Sequence, residues 1–304
     1  MLLGAVIATY NPPRQVKSVV AELTREGVAV VVVDDASEAP DSAQLLNELR
    51  SAGAEVRKKT VNSGIGNSLN IGVEILVERG VDFVMTLDQD SSLSPNYFAE
   101  SVAYTERLSV SGLRVGLVTA ATLNGNRRRP ASLHQAAGAD PISVGVDVMQ
   151  SGSVYPASIL SAVGPFREDL VMDCIDTEYC LRLRRKGYLV VWNPNTHMSH
   201  ALGDTSPATL FGRRVAIVGH AVNTSNHSPK RRFYMSRNRI LLLKQYGRTD
   251  REWARKSLKA YGKETLIALL FERPRFAKFR AFVAGTAQGL SGKSGYIRSG
   301  AIDE

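Results

Sequence analysis

Apolar and polar positions along the first 200 residues predict strands and helices in turn. Gly4–Thr9 is a short apolar strand that stops at Tyr10-Asn11-Pro12-Pro13. Gln15–Arg25 carries Val16, Val19, Val20 and Leu23 at helical spacing. Val28–Val33 is a continuous β-branched run, the mark of a strand buried on both faces, and it ends at Asp34-Asp35-Ala36-Ser37. A helix over Asp41–Ala52, a strand over Ala54–Lys59 and a helix over Ile65–Arg79 follow. An apolar run then closes at Leu87-Asp88, and a helix starts near Pro95. Arg114–Thr122, Val146–Tyr155 and Tyr188–Trp192 read as further strands, the last closed by an Asn193-Pro194 turn. Asn124–Pro141 and the strand-poor Gly203–Pro229 are polar loops, of a length that often serves for binding. From Lys230 the pattern is helical, broken at Gly247 and Pro274. The expectation is an α/β protein with a mostly parallel mixed sheet flanked by helices over residues 1–228, and a helical extension over 229–304.

Composition sharpens this picture in two places. At 304 residues, with 44% hydrophobic and 22% charged, the chain can bury a large core. Residues 1–227 hold 20 Lys+Arg and 23 Asp+Glu, whereas 228–304 hold 18 and 6. A basic C-terminal quarter on a near-neutral body suggests an anionic partner there, or else a solvated basic surface. Cys174 and Cys180 are too few for a disulfide framework and wrongly spaced for a metal pair, so both read as core thiols. Met1-Leu2-Leu3-Gly4 lacks the basic start of a signal peptide, and no apolar run approaches the ~18 residues of a spanning helix. The expected location is the cytosol.

In open α/β sheets, ligands bind beyond the carboxyl ends of the strands. Three polar clusters fall there: Thr9-Tyr10-Asn11, Asp34-Asp35 and Asp88-Gln89-Asp90. Alternation along an extended strand puts Asp88 and Asp90 on one side, where two mutually repelling carboxylates suit Mg²⁺ or Mn²⁺ and a diphosphate. An acidic turn closing a strand is the alternative. At Asp34-Asp35 a carboxylate can accept from a nucleobase or a ribose, or can cap a turn. The Asn62-Ser63-Gly64-Ile65-Gly66-Asn67 link lets a backbone approach closely at a helix N-terminus, which favours an anion. Asp173 and Asp176 share a face of any helix beginning there, and Glu178 follows. A carboxylate in this position serves either as a general base or as dipole-stabilising charge. His197 or His200 could complete a metal shell, and spacing does not decide between them. Arg231-Arg232-Phe233-Tyr234 and Arg237 form either a diphosphate clamp or a basic helix face. Arg127-Arg128-Arg129 adds cations to one loop.

Taken in order, these motifs resemble family 2 glycosyltransferases of the GT-A fold. The resemblance rests on Thr9-Tyr10-Asn11, Val33-Asp34-Asp35-Ala36-Ser37, Asn62-x-Gly64-x-Gly66-x-x-x-Asn70, Leu87-Asp88-Gln89-Asp90-Ser91, Gly152, and Ile175-Asp176-x-Glu178-x-x-Leu181-Arg182 leading to Gly187-Tyr188. The stretches Asp173–Arg182 and Arg231–Asn238 are most similar to the rhamnosyltransferase branch. Many members carry Glu-Asp at the base; Ile175 stands at the first of those positions here, as in that branch.

The resemblance implies a nucleotide-sugar donor held by Thr9, Tyr10, Asn11, Asp34, Asp35, Asn62, Gly64, Asn67, Asp88, Gln89, Tyr234 and Arg237. It implies Mg²⁺ or Mn²⁺ at Asp88, Asp90 and His200, and Asp176 as catalytic base. Asp173, Glu178 and Arg128 are expected toward the acceptor. The implied reaction is inverting transfer of L-rhamnose from dTDP-rhamnose to a glycan or polyprenyl-linked glycan hydroxyl in cell-surface polysaccharide synthesis. UDP-galactofuranose is an alternative donor. A non-catalytic nucleotide-sugar or nucleic-acid binder is the competing class, but RNA-binding aromatic signatures are absent and no nucleic acid is expected. The helix Arg251–Phe271 places Arg251, Arg255, Lys256, Lys259 and Lys263 within an arc of ~140° at 100° per residue, with Leu266, Leu269 and Leu270 on the same arc. That face is expected against the inner surface of a membrane, on the body of the protein, or against a second subunit.

Overall fold

The computed structural model describes residues 1–128, 132–134, 141–200, 206–210, 213–214, 216–217, 220–221 and 223–297. Arg129, much of the Asn124–Pro141 loop and parts of Gly203–Pro229 therefore lie outside the described residues. The chain divides into two compact units, one of Met1–Glu168 with Asp176–Ala201, the other of Asp169–Ile175 with Leu202–Glu304.

The first unit is built on a mixed sheet. Its strands are β1 (Leu3–Thr9), β2 (Ala29–Asp34), β3 (Glu55–Lys58), β4 (Phe83–Asp88), β5 (Ser91–Leu93), β6 (Val115–Leu123), β7 (Asn126–Arg127), β8 (Ser132–His134), β9 (Ile142–Val144), β10 (Ser153–Pro156) and β11 (Leu189–His200). The order is β3-β2-β1-β4-β10-β6-β11-β9-β8, with β5 on β11 and β7 on β6. The first four strands of this order are parallel, and β10 is antiparallel to both its neighbours. Helices α1 (Val16–Arg25), α2 (Ser42–Ser51), α3 (Gly64–Glu78), α4 (Tyr97–Val110), α5 (Ala157–Val163) and α6 (Ile175–Arg185) connect the strands. The β-branched run in β2 is buried on both faces, as its composition demands. Val16, Val19, Val20 and Leu23 of α1 join β1 and β2 side chains in one core cluster.

Two expectations need correction. The strand expected over Val146–Tyr155 is confined to Ser153–Pro156. The strand expected to stop at Trp192 runs on to His200, because the Asn193-Pro194 step is absorbed as a register shift against β6 between Asn193 and His197. The region expected to be poor in strands carries short antiparallel pairs, Ser206–Pro207 with Asn223–Thr224 among them.

The second unit holds α7 (Pro229–Tyr246), α8 (Arg251–Phe271) and α9 (Arg275–Leu290). The helix starts follow capping chemistry. Ser228 accepts from Arg231 N–H with Pro229 at the first position, and Asp250 accepts from Trp253 N–H. Phe233, Tyr234, Ala281 and Val171 form its apolar cluster. Beside them lies a buried ion triad. Glu272 accepts from Arg232 Nη2 at 2.8 and 3.0 Å, from Lys278 Nζ at 2.8 Å and from Ser225 N–H at 3.2 Å. Burial would raise the Glu272 carboxyl, but the Lys278 hydrogen bond and the Arg232 charge bring it below its ordinary range.

A buried carboxylate between two cations leaves both uncompensated if it is removed. Glu272→Ala should therefore lose about 3–5 kcal/mol in urea unfolding. A carboxyl lowered in the folded state stabilises fully above the ordinary carboxylate range and loses that contribution as pH falls through its folded value. The gap in stability between wild type and Glu272→Gln should accordingly shrink on acidification. A gap constant from pH 7 to 3 would rule out this linkage.

Candidate active site

The parallel register brings three polar strand ends of the first unit into one row. Thr9 stands opposite Asp34 across β1 and β2, and Ala8 opposite Asp88 across β1 and β4. Gln89 fastens the row: its Oε1 accepts from Tyr10 N–H at 2.8 Å and its Nε2 donates to Tyr10 C=O at 3.1 Å.

Asp88 and Asp90 do converge, but not by strand alternation. β4 ends at Asp88, residues 89–90 form a turn, and β5 departs immediately. β5 pairs antiparallel with the end of β11, setting Ser91 opposite His200. Alternation along β11 buries Met198 and turns His197 outward, so His200 shares the side of Met198 and meets the carboxylates. His200 Nδ1 lies 3.1 Å from Asp90 Oδ1, and Nε2 lies 3.9 Å from Asp88 Oδ2. Ser91 Oγ is also 3.1 Å from Nδ1. The His200 backbone is held on both sides by Asn124, donating N–H to Asn124 Oδ1 at 2.8 Å and accepting from Nδ2 at 2.9 Å.

Ligand atoms of Asp88, Asp90 and His200 lie within 4.8 Å of one another. Asp90 Oδ1 is buried and, among the described residues, receives no hydrogen bond. A buried acidic oxygen without a donor, beside a second carboxylate and an imidazole, fits a hard divalent cation such as Mg²⁺ or Mn²⁺. Burial and then the Asp90 charge push Asp88 up to about 7, against the opposing hydrogen bond from Gln150. The Asp88 N–H donates to Ser151 Oγ at 2.9 Å.

The neighbouring expected ligands are more heavily engaged than the sequence suggests. Asp34 is fully buried, and accepts from Thr9 Oγ1 at 3.2 Å, from Ser37 N–H at 3.0 Å and from Ser37 Oγ. It shapes the strand end and is closed to a nucleobase. Asp35 accepts from Ser63 N–H at 2.7 Å and Gly64 N–H at 2.9 Å, and pairs with Lys59 at 2.7 Å. A carboxylate has about four acceptor positions, so Asp35 retains one beside these donors. Asn11, with φ 47°, accepts from Glu38 and Ala39 N–H and closes the loop after β2. Tyr10 is exposed beside it, and Asn62 is exposed before α3. Asn67 donates to Glu168 at 3.0 Å. Asn70 exchanges hydrogen bonds with the backbone of Phe166. A Cβ on Gly66 would sit 3.1 Å from Arg167 C=O, so this glycine lets the chain approach itself rather than a phosphate.

Asp176 lies in the first turn of α6 and accepts from Thr177 N–H at 2.7 Å. Arg128 belongs to the same electrostatic neighbourhood. Burial lowers its pKa, while Tyr97, Asp147 and Asp176 act to raise it. Glu178 is not open to an acceptor: it is buried and paired with Arg182 at 2.7 Å.

In the second unit, Arg237 and Tyr234 are not an open diphosphate clamp. Both are fully buried. Arg237 donates to the carbonyls of Leu170, Asp169 and Gly295 and to Asn238 Oδ1. Tyr234 accepts from Ile297 N–H at 3.1 Å. Asn238 donates to the carbonyls of Leu170, Met172 and Asp173 at 2.8, 2.7 and 3.1 Å. Asp173 forms a two-point pair with Arg231 at 3.1 and 2.9 Å, which occupies the carboxylate expected to meet an acceptor. These contacts grip a backbone in which Val171, Asp173 and Cys174 all have φ of 60° to 66°. Non-glycine residues hold that conformation only when their surroundings over-determine it. The chain enters α6 and Asp176 directly from this segment.

Sequence reasoning missed Gln150, Ser151, Asn124 and Asn238. The first two stand next to Gly152, and Asn238 closes the Arg231–Asn238 motif, so nearness to a motif was the only available signal. Asn124 could not be found from its spacing, since its partner lies 76 residues away.

Residues 5–141 match the model of glycosyl transferase family 2. The chain belongs to that family and is a glycosyltransferase. It is 30% identical over 257 residues to dTDP-rhamnosyl transferase RfbF of Shigella flexneri, covering 79% of each chain. Two solved structures share the GT-A-type fold. Mannosyltransferase PcManGT from Pyrobaculum calidifontis, solved with GDP-Man and Mn²⁺, superposes with a TM-score of 0.56 at 12% identity, over 96% of this chain and 87% of that one. S. aureus TarS gives 0.52 at 14% identity over 91% of this chain, which spans only 45% of TarS.

A cation at this site requires ionised Asp88, so Mn²⁺ affinity should rise from pH 6 to pH 8 with release of protons. Titration calorimetry in buffers of different ionisation enthalpy measures both quantities. Asp90→Ala should abolish the binding. Affinity that is flat with pH, or unchanged in Asp90→Ala, would remove the cluster as a metal site.

Proposed function

We propose that this glycosyltransferase uses dTDP-rhamnose and moves L-rhamnose, with inversion, to a hydroxyl of a glycan acceptor, free or polyprenyl-linked, in surface polysaccharide synthesis. The observation that carries the donor is the 30% identity over most of the chain to a protein named dTDP-rhamnosyl transferase. The reading locates the reaction in the cytosol, with any lipid-linked acceptor met at the inner face of the membrane.

Asp88, Asp90 and His200 would hold Mg²⁺ or Mn²⁺, whose charge would stabilise the departing diphosphate. Thr9, Tyr10, Asn11, Asp35 and Asn62 are the residues nearest the strand ends for the nucleoside. Asp176 accepts the proton of the acceptor hydroxyl. The hydroxyl oxygen bonds to the anomeric carbon from the face opposite the leaving group. The carbon–oxygen bond to the diphosphate breaks, and its electron pair stays with the nucleoside diphosphate. Arg128, in electrostatic reach of Asp176, favours the carboxylate form of the base.

A thermal-shift screen of dTDP-rhamnose, UDP-galactofuranose and other dTDP- and UDP-sugars with Mn²⁺ tests the donor, because a ligand bound only by the native state raises apparent stability. dTDP-rhamnose should give the largest shift; a larger shift with UDP-galactofuranose would replace it as donor. Asp176→Asn should bind the donor as wild type does and lose transfer by about a hundredfold or more. Normal turnover by that variant would exclude Asp176 as the base.

A further inference from the structure

Helix α9 is built inside out for a surface helix. Its buried positions are Lys278, which reaches Glu272, and then Ala281, Gly285 and Gly289. A Cβ on Gly285 would sit 2.4 Å from Phe233 C=O, and one on Gly289 2.6 Å from Arg237 C=O, so the backbones of α7 and α9 approach closely. Only small residues fit that seam. Apart from Phe282, the large aromatic and branched residues of α9 point the other way: Phe276 is 74% exposed, Phe279 47%, Val283 47% and Leu290 60%. At about 100° per residue these four fall within an arc of about 60°. An ordinary surface helix of a soluble protein buries its large apolar stripe and exposes polar residues.

The stripe does not stand alone. Helix α8 packs on α9 through Tyr261, which stacks on Phe282 at 5.4 Å and hydrogen-bonds Thr286 at 3.1 Å. The last turns of α8 expose Leu266 at 58% and Leu270 at 50%, beside the connection that leads to Phe276. Both helices of the α8–α9 hairpin thus expose large apolar side chains. Its exposed charges are cations, with Arg273, Arg275 and Arg280 in or next to the stripe. From Arg251 to Lys293 the carboxylates are Glu252 at the far end of α8, Glu264, which is paired with Arg239, and the buried Glu272, none of them in the apolar stripe.

We infer that this outward face of the α8–α9 hairpin docks on an anionic lipid bilayer, with the apolar stripe in the interfacial layer and the arginines against the headgroups. Charge decides between a bilayer and a second copy of the chain. An isologous dimer would set the same cationic rim against itself. An anionic leaflet is complementary, since it attracts each cation near its surface. Long cationic side chains can also bury their stems in the interface while their heads stay hydrated. No helix of the described residues is long and apolar enough to cross a membrane, so the contact is to lie on the bilayer. The inference does not depend on which sugar is transferred.

The test is flotation of the full chain with vesicles of phosphatidylcholine alone and of phosphatidylcholine with phosphatidylglycerol. Wild type should float with the anionic vesicles and not with the neutral ones. Phe276→Ser/Phe279→Ser should weaken that partitioning about tenfold or more, and Arg273→Gln/Arg275→Gln/Arg280→Gln by a similar factor. Both variants should keep the wild-type melting temperature and nucleotide-sugar binding, which separates this outcome from a failure to fold or from a wrong donor. Absence of wild-type binding to anionic vesicles, equal binding to neutral ones, or partitioning unchanged in either variant would overturn the proposal. So would a dimer in light scattering that the Phe276→Ser/Phe279→Ser variant dissolves, since the face would then belong to a second copy.

Discussion

The candidate site depends on holding two carboxylates together against their mutual repulsion. Asp88 and Asp90 sit two residues apart in a partly buried turn, where repulsion is poorly screened. Backbone and neutral side chains set the geometry: the short β5 strand folds back onto β11, Ser151 receives the Asp88 N–H, and Gln150 donates to the Asp88 carboxylate. His200 then meets both carboxylates from the neighbouring strand. The strand β11 runs on beyond its apolar stretch Leu189–Trp192 as far as His200, which brings an imidazole to the end of β4. The register shift after Asn193 lets it do so.

How much of this was legible in the sequence varied with the range of the interaction. Elements governed by local periodicity, such as α1, β2, α7 and α8, fall within one or two residues of expectation, whereas α9 stops at Leu290 although the helical pattern was expected to continue. Asp88 and Asp90 were legible as a pair because they are neighbours in the chain. Their convergence through a turn was not, since an apolar run does not announce where its last ladder bond will fall. The choice between His197 and His200 required the pleat of a strand that the Asn193-Pro194 step seemed to terminate. Buried arginine was the hardest case. Arg237 reads as a cation for phosphate, and nothing in its neighbours reveals that backbone carbonyls 67 and 68 residues earlier occupy its guanidinium.

Polar residues in this protein divide between those that shape the backbone and those free to meet a ligand. Asp34, Asn67, Asn70 and Glu178 belong to the first group: each stands in one of the polar motifs of the sequence, yet each satisfies donors or acceptors of the chain itself. Asp90, with a buried oxygen lacking any donor among the described residues, and Tyr10, exposed at a strand end, belong to the second. A motif residue can therefore matter for the reaction without touching the substrate, by fixing the loop that presents the residue that does.

The left-handed run at Val171, Asp173 and Cys174 carries this distinction into modularity. Each such residue costs about 1–3 kcal/mol relative to a relaxed backbone. The compensating contacts from Arg237, Asn238 and Arg231 come from a helix that begins more than fifty residues later. The family-matched stretch, residues 5–141, contains neither the run nor its clamp. That stretch can therefore change without disturbing the clamp. The left-handed segment is instead tied to the C-terminal helix that holds it, so a change in either must suit the other.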